Sequence, residues 1–127
     1  MNIKIFILIS MIFFHIIDDY YLQGCLASMK QKHWWKQFVL YEKCKYDYIM
    51  ALFCHAFSWS FSIQIPILIY SIYMNNFIWN TPLFIFNILI HMGVDDLKAN
   101  QLKINLIQDQ LLHLCQIFVT WLLIIIL

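Results

Sequence analysis

The chain has 127 residues and a formal net charge of +1; 63% of its residues are hydrophobic and only 12% are charged. A water-soluble domain carries about 25% charged residues, so the charges here are too few to coat a globule. The apolar stretches run for about twenty residues, whereas the strands of a membrane barrel alternate over about ten. The composition therefore predicts an all-α integral membrane protein with a single domain over residues 1–127.

The charged residues also exclude one class of partner. All eight basic residues are lysines, so the bidentate arginine contacts that recognise phosphate or guanine are missing, and we expect no nucleic-acid partner. The four cysteines form no C-x-x-C pair, and we expect no disulfide framework. The partner that the composition predicts is membrane lipid.

The first predicted span covers residues 3–22. Lys4 and the apolar run that follows it resemble a signal peptide, but Asp18 and Asp19 interrupt that pattern. We therefore expect this segment to stay as the first membrane helix.

Residues 26–40 follow the first span and mix lysines with Trp34 and Trp35. This mixture predicts a short amphipathic helix that lies at the membrane interface. The helix either anchors the topology only or holds anionic lipid through its lysines.

Three more spans are predicted, over residues 48–73, 77–96 and 106–127. Pro66 should kink the second, while Pro82 lies in the first turns of the third, where proline is tolerated. Each segment is long enough for a hydrocarbon core of about 30 Å. The sequence thus predicts a four-helix membrane bundle.

Lysines set the expected orientation in the membrane. The first and third connections hold seven of the eight lysines, and with four spans these connections share one side. The positive-inside rule makes that side cytoplasmic and places both termini outside the inner membrane.

Every predicted span carries a histidine, and most of the acidic residues lie close to one. Ionisable residues are costly in a bilayer and by default mark function. They lie near the C-terminal end of the first and third spans and near the N-terminal end of the second and fourth, so all should meet in one layer close to the cytoplasmic surface. The members of this layer are His15, Asp18, Asp19, His55, His91, Asp95, Asp96, Asp109 and His113.

Spacing within the spans points to a metal site. His15 and Asp19, His91 and Asp95, and Asp109 and His113 are i,i+4 pairs, so both members of each pair face the same way. Histidine with a carboxylate on one helical face is the unit from which metal sites in helical bundles are built. The predicted ligands are His15, His55, His91 and His113 with Asp19, Asp95 and Asp109, and the predicted ion is zinc, with manganese or iron as alternatives.

The recurrence of these pairs suggests a duplication. His15-x-x-x-Asp19 returns as His91-x-x-x-Asp95, and His55 and His113 both lie early in the even-numbered spans. The sequence therefore predicts two pseudo-repeated helical hairpins in one orientation. Gln23, Gln64 and Gln110 are expected to form hydrogen bonds between helices.

At these residues the chain resembles the domain of unknown function 3307 family of small bacterial and phage membrane proteins. Its H-x-x-x-D-x-x-x-Q signature matches at His15–Gln23, H-x-x-x-D-x-x-K at His91–Lys98, and D-Q-x-x-H at Asp109–His113. In that family a second histidine often follows the first in the second span, where this chain has Ser58 and Trp59. The resemblance implies a helical membrane protein and supplies no reaction.

The leading functional hypothesis is a membrane-embedded metal-dependent hydrolase at the cytoplasmic leaflet. Its expected substrate is a lipid-linked phosphoester, with amide and ester hydrolysis left open. An aspartate among Asp19, Asp95 and Asp109 would be the catalytic base, while Lys30 and Lys98 would bind the phosphate. Two alternatives stay open: a proton or metal-ion transporter that uses the same layer, and a non-enzymatic phage or bacterial adaptor in which the layer only holds the helices together. We also expect a homo-oligomer, because each helix of so small a bundle has few other helices of the same chain to pack against.

Overall fold

The computed structural model describes residues 2–126, and every regular element among them is helical. In chain order the elements are α1 (Ile3–Ile17) with a π-helical turn (Asp18–Leu22), α2 (Leu26–Met29), α3 (Lys32–Trp35), α4 (Tyr41–Cys44), α5 (Asp47–Ser62), α6 (Ile65–Tyr73), α7 (Thr81–Ala99), and α8 (Leu106–Trp121) with a second π-helical turn (Leu122–Ile126). The all-α prediction is confirmed.

Three stretches of helix are long and apolar enough to cross a membrane: Ile3–Leu22, Asp47–Tyr73 and Leu106–Ile125. They coincide with the first, second and fourth predicted spans, although residue 127 of the last lies outside the described residues. These lengths and compositions are those of a membrane protein.

The third predicted span differs from its expected bounds. α7 begins at Thr81 instead of residue 77, because the Asn80 side chain caps it by accepting a hydrogen bond from the backbone N–H of Leu83 at 2.9 Å. The helix then continues to Ala99 through a charged last part, and its uncharged portion, residues 81–94, is only about 21 Å long. The four-span bundle and its two repeated hairpins therefore stay predictions.

Pro66 interrupts the second span as expected. It lies in the first turn of α6, and the chain turns at Ile63 and Gln64 between α5 and α6. Proline lacks the backbone N–H that would continue the ladder of α5 hydrogen bonds, which explains the break.

The lysine-tryptophan segment folds as short helical turns, α2 and α3, instead of one helix over residues 26–40. Asn100 at the end of α7 holds it by donating to the backbone carbonyl of Lys30 at 3.0 Å and accepting from the backbone N–H of Lys32 at 2.7 Å. The segment is thus fixed to one end of α7.

α5 lies at the centre of the packing and contacts both α1 and α7, while α8 also contacts α1 and α7. Two buried apolar clusters fill the contacts. The first joins α1, α5, α6 and α8 with the π-helical turn after Trp121, and it consists of Ile7, Met11, Trp59, Ile63, Ile67, Ile117 and Ile125. The second joins α5 to α7 and consists of Ala56, Phe84 and Ile88. This packing turns one face of each long helix toward its neighbours and positions the polar layer.

Candidate metal centre

The predicted polar layer is present, and it is buried. It collects side chains from the C-terminal parts of α1 and α7 and the N-terminal parts of α5 and α8: His15, Asp18, Asp19, His55, His91, Asp95, Asp109 and His113. His91 and His113 are completely buried. Asp96 lies apart from the layer, where it accepts hydrogen bonds from Asn100 and Gln101.

Two groups within the layer have the proximity that a metal ion requires. Asp19, His55 and His91 form one, and His91, Asp95 and His113 form the other; in each group the donor atoms lie within 4.8 Å of one another. His91 belongs to both groups. Among the described residues, the metal site predicted from spacing is therefore possible at two adjacent positions.

Distances across the layer match those between ligands of one ion. The Nε2 of His55 lies 3.2 Å from the Oδ1 of Asp19, and the Nε2 of His113 lies 3.4 Å from an oxygen of Asp95 and 3.4 Å from one of Asp109. Two donors at about 2.1 Å from a tetrahedral ion are about 3.4 Å apart. A metal ion would fit between these atoms with little movement of the side chains.

Several of these atoms are buried without a hydrogen-bond partner among the described residues. They are both ring nitrogens of His91, both of His113, and the Oδ1 atoms of Asp19 and Asp109. A buried polar atom that makes no hydrogen bond costs about 1–3 kcal/mol. Ions bound through one nitrogen of each ring and through the two carboxylate oxygens would satisfy four of these six atoms.

Charge balance points the same way. The layer holds four carboxylates, from Asp18, Asp19, Asp95 and Asp109, and two ammonium groups contact them. With neutral imidazoles this leaves an excess of two negative charges. Because unpaired charge is costly in a buried site, a divalent cation is the partner that suits this layer.

Stacked rings hold the two shared histidines in place. The His91 ring is stacked with that of His113, with centroids 4.1 Å apart, and with that of Trp59 at 4.2 Å, and Trp59 and His113 are themselves 5.5 Å apart. The stack fixes both imidazole planes before any ion binds.

Asp18 is a part of the site that the spacing argument left out. The Ser58 hydroxyl donates to its Oδ1 at 2.6 Å and the Ser62 hydroxyl at 3.1 Å, while its Oδ2 lies 3.5 Å from the Nδ1 of His55. Carboxylates that contact the far nitrogen of a ligating histidine orient its ring. The π-helical turn that carries Asp18 and Asp19 brings both carboxylates to His55, one to each ring nitrogen, and such turns are frequent at functional sites.

His15 lies in the layer, but it is in neither group that the described residues form. Trp59 donates its indole N–H to the Nδ1 of His15 at 2.8 Å, so the Nε2 carries the proton and donates to the Oε1 of Gln110 at 3.1 Å. Both ring nitrogens are used in these hydrogen bonds, so His15 would have to give one of them up to bind an ion, and its role as a ligand stays a prediction. The amide nitrogen of Gln110 donates in turn to Asp19 and Asp109, each at 3.1 Å.

The glutamines behave in two ways. Gln110 joins α8 to α1, and the Gln23 amide lies 3.1 Å from the Nε2 of His55, so both are hydrogen-bonded between helices as predicted. The amide nitrogen of Gln64 is buried and has no partner among the described residues.

The two lysines predicted to bind phosphate are each paired with an aspartate of the layer. Lys30 is buried and forms an ion pair with Asp95 at 2.5 Å, whereas Lys98 pairs with Asp109 at 2.7 Å and keeps 38% of its side chain exposed. Lys30 thus differs from the expected headgroup contact, because its ammonium neutralises a carboxylate of the layer. Lys98 lies at the rim of the layer, the edge beside the C-terminal end of α7, where its exposed part can contact an anion.

Comparison of the chain with family models, with curated proteins and with solved structures found no match. The resemblance to the domain of unknown function 3307 family therefore stays a prediction. The function must be argued from the layer itself.

Proposed function

We propose that this protein is a membrane-embedded metal-dependent hydrolase that acts on a lipid-linked phosphoester. The observation that carries the proposal is the pair of groups that share His91: their ligand atoms lie within 4.8 Å of one another, and those of His91, His113 and Asp19 include buried atoms with no hydrogen-bond partner among the described residues. Imidazole nitrogen with carboxylate oxygen suits zinc, and also manganese or iron.

Different residues of the layer would bind the metal ion and accept the proton. His91, His113 and Asp95 would hold the ion, or His55 and Asp19 with His91. A bound divalent ion would supply a water of lowered pKa and would polarise a phosphoryl oxygen. A carboxylate oxygen of Asp109 or Asp19 that is not bound to the ion would accept the proton of that water, since both residues lie beside a predicted ligand.

A substrate would reach the layer from the side where α7 ends and α8 begins. Lys98 is the cation at that rim, and an anionic group that displaces its pairing with Asp109 would be held next to the ion. The short turns α2 and α3, with Trp34 packed on Phe38 at 4.8 Å, suit the headgroup region beside this rim. The phosphate of a lipid-linked substrate would lie in this headgroup region, next to the rim of the layer.

The membrane arrangement that we propose has four spans, with α7 as the third, arranged as two repeated hairpins in the inner membrane. The lysine-rich connections would be cytoplasmic and both termini outside. The charged end of α7 then lies in the headgroup region, which compensates for its short uncharged stretch. The exposed apolar sides of α7 and α8 leave area for a second copy in a homo-oligomer.

The test is hydrolysis of a lipid phosphomonoester in mixed micelles by the purified full chain, with Zn²⁺ or Mn²⁺ supplied. We expect metal-dependent phosphate release that His113→Gln abolishes and that His33→Gln, an exposed histidine outside the layer, leaves unchanged. Equal release by both variants, or none by the metal-loaded protein with any lipid phosphate, ester or amide, would refute the hydrolase.

One observation bears on the transporter alternative. Buried polar groups continue from the layer along α7 and α8, where Asn87 donates to Thr120 at 3.0 Å and accepts from Gln116 at 3.0 Å. These side chains bond to one another, so they form a closed contact between helices instead of an open path. Flux of protons or Zn²⁺ into vesicles that contain the protein, lost in His91→Gln, would favour transport.

A further inference from the structure

A single carboxylate lies between two sets of donor atoms in the layer. The Oδ2 of Asp95, which also accepts the hydrogen bond of the Lys30 ammonium, lies 3.6 Å from the Nε2 of His55 and 3.8 Å from the Nε2 of His91. Its other oxygen, Oδ1, lies 3.4 Å from the Nε2 of His113. The two oxygens of Asp95 therefore face different histidines, as the oxygens of a carboxylate that bridges two ions do.

Each set includes a second carboxylate with an unsatisfied oxygen. The Oδ1 of Asp19 lies 3.2 Å from the Nε2 of His55, and the Oδ1 of Asp109 lies 3.4 Å from the Nε2 of His113. Neither oxygen has a hydrogen-bond partner among the described residues. Both halves of the layer thus offer imidazole nitrogen, a terminal carboxylate and one oxygen of Asp95.

The proposal rests on the proposed function and deepens it: we infer that the layer binds two divalent ions bridged by Asp95, and that the second binds only together with a phosphate group. His55, His91 and Asp19 hold the first ion, and His113 with Asp109 holds the second. The substrate class is a phosphate monoester, whose dianion completes the second position.

Charge explains why the second ion requires an anion. The four carboxylates and the two paired lysines leave an excess of two negative charges, which one divalent ion neutralises. A second divalent ion would leave two uncompensated positive charges in a buried site, where such charge is costly. A phosphate dianion restores neutrality, so the second ion and phosphate must each raise the affinity for the other.

Lys98 is the residue that would bind the phosphate. Its ammonium lies 2.7 Å from the Oδ2 of Asp109 and is the more exposed of the two lysines in the layer. An ion on the Oδ1 of Asp109 and a phosphate on Lys98 would therefore be neighbours, on the side of the layer that faces the rim.

The experiment counts Mn²⁺ on the detergent-purified full chain, by equilibrium dialysis and electron paramagnetic resonance, with and without inorganic phosphate. We expect one Mn²⁺ per chain without phosphate and two with it, and the pair should show the spin coupling of ions a few ångströms apart. Asp109→Asn should keep one ion under both conditions, whereas Asp47→Asn, an exposed aspartate outside the layer, should behave like the unmodified chain.

Three outcomes would overturn this inference. One ion with or without phosphate removes the bridged pair and leaves the single-ion hydrolase standing. Two ions without phosphate remove the linkage to the anion. No bound ion under any condition removes both this inference and the proposed function.

Discussion

Replacing Lys30 with methionine should reveal whether its partner Asp95 is also held by a metal ion. The two side chains form a buried ion pair at 2.5 Å, with 9% of the lysine side chain and 7% of the aspartate exposed. Removing one partner of a buried pair destabilises a protein by about 3–5 kcal/mol, because the other charge is left uncompensated. In the presence of a chelator, the free energy of unfolding of Lys30→Met should fall by about this amount.

A bound divalent ion would compensate Asp95 instead. With saturating Zn²⁺ the loss should therefore be much smaller, and recovery of about 3 kcal/mol corresponds to roughly a hundredfold tighter binding of the ion by the variant. Unfolding in detergent, followed by tryptophan fluorescence with chelator and with Zn²⁺, measures both quantities.

The control is Lys45→Met, which removes a surface ion pair with Glu42 at 3.2 Å and should change little under either condition. Equal destabilisation of Lys30→Met with and without Zn²⁺ would refute the reasoning, because Asp95 would then have no second cationic partner.

Three further predictions concern the surroundings of the site. Ser62→Ala removes a donor to Asp18 and should weaken Zn²⁺ binding by about 10–100-fold in a titration, whereas Ser71→Ala, a buried serine bonded to a backbone carbonyl, should leave the affinity unchanged. Thr120→Val breaks the contact with Asn87 and should lower the free energy of unfolding by about 1–2 kcal/mol without changing the bound Zn²⁺, so loss of metal would contradict the separation of this contact from the site. Accessibility of tags at the two ends should place both termini on the outer, non-cytoplasmic side of the inner membrane, and termini on opposite sides would contradict four spans.

Much of the layer could be predicted because helical periodicity is a local property. The i,i+4 pairs at His91 and Asp95 and at Asp109 and His113 face one way in any α-helix, and the alternating ends of the spans bring them together. The long apolar helices could be predicted because the hydropathy of a segment is also a local property of the sequence. Their assembly into four spans could not be derived as firmly, because the charged end of α7 shortens its uncharged stretch.

The partners of individual side chains were not predictable, since they come from distant parts of the chain. His15 is paired with Trp59 and Gln110, which are 44 and 95 positions away, and nothing in its own helix indicates that both nitrogens are used. Lys30 likewise reaches Asp95 across 65 positions. The contact of Asp18 with His55 could have been inferred as well, because Asp18 precedes Asp19 directly and two serines four positions apart, Ser58 and Ser62, follow His55 on the facing helix.

The central claim is that the buried layer binds a divalent metal ion through His91. Elemental analysis of the detergent-purified protein, reconstituted with Zn²⁺ and freed of excess, tests it most directly when His91→Ala is compared with His33→Ala. The account predicts stoichiometric zinc in the unmodified chain and in His33→Ala, and its loss in His91→Ala. Absence of zinc, manganese and iron after reconstitution, or retention of the metal in His91→Ala, would contradict it.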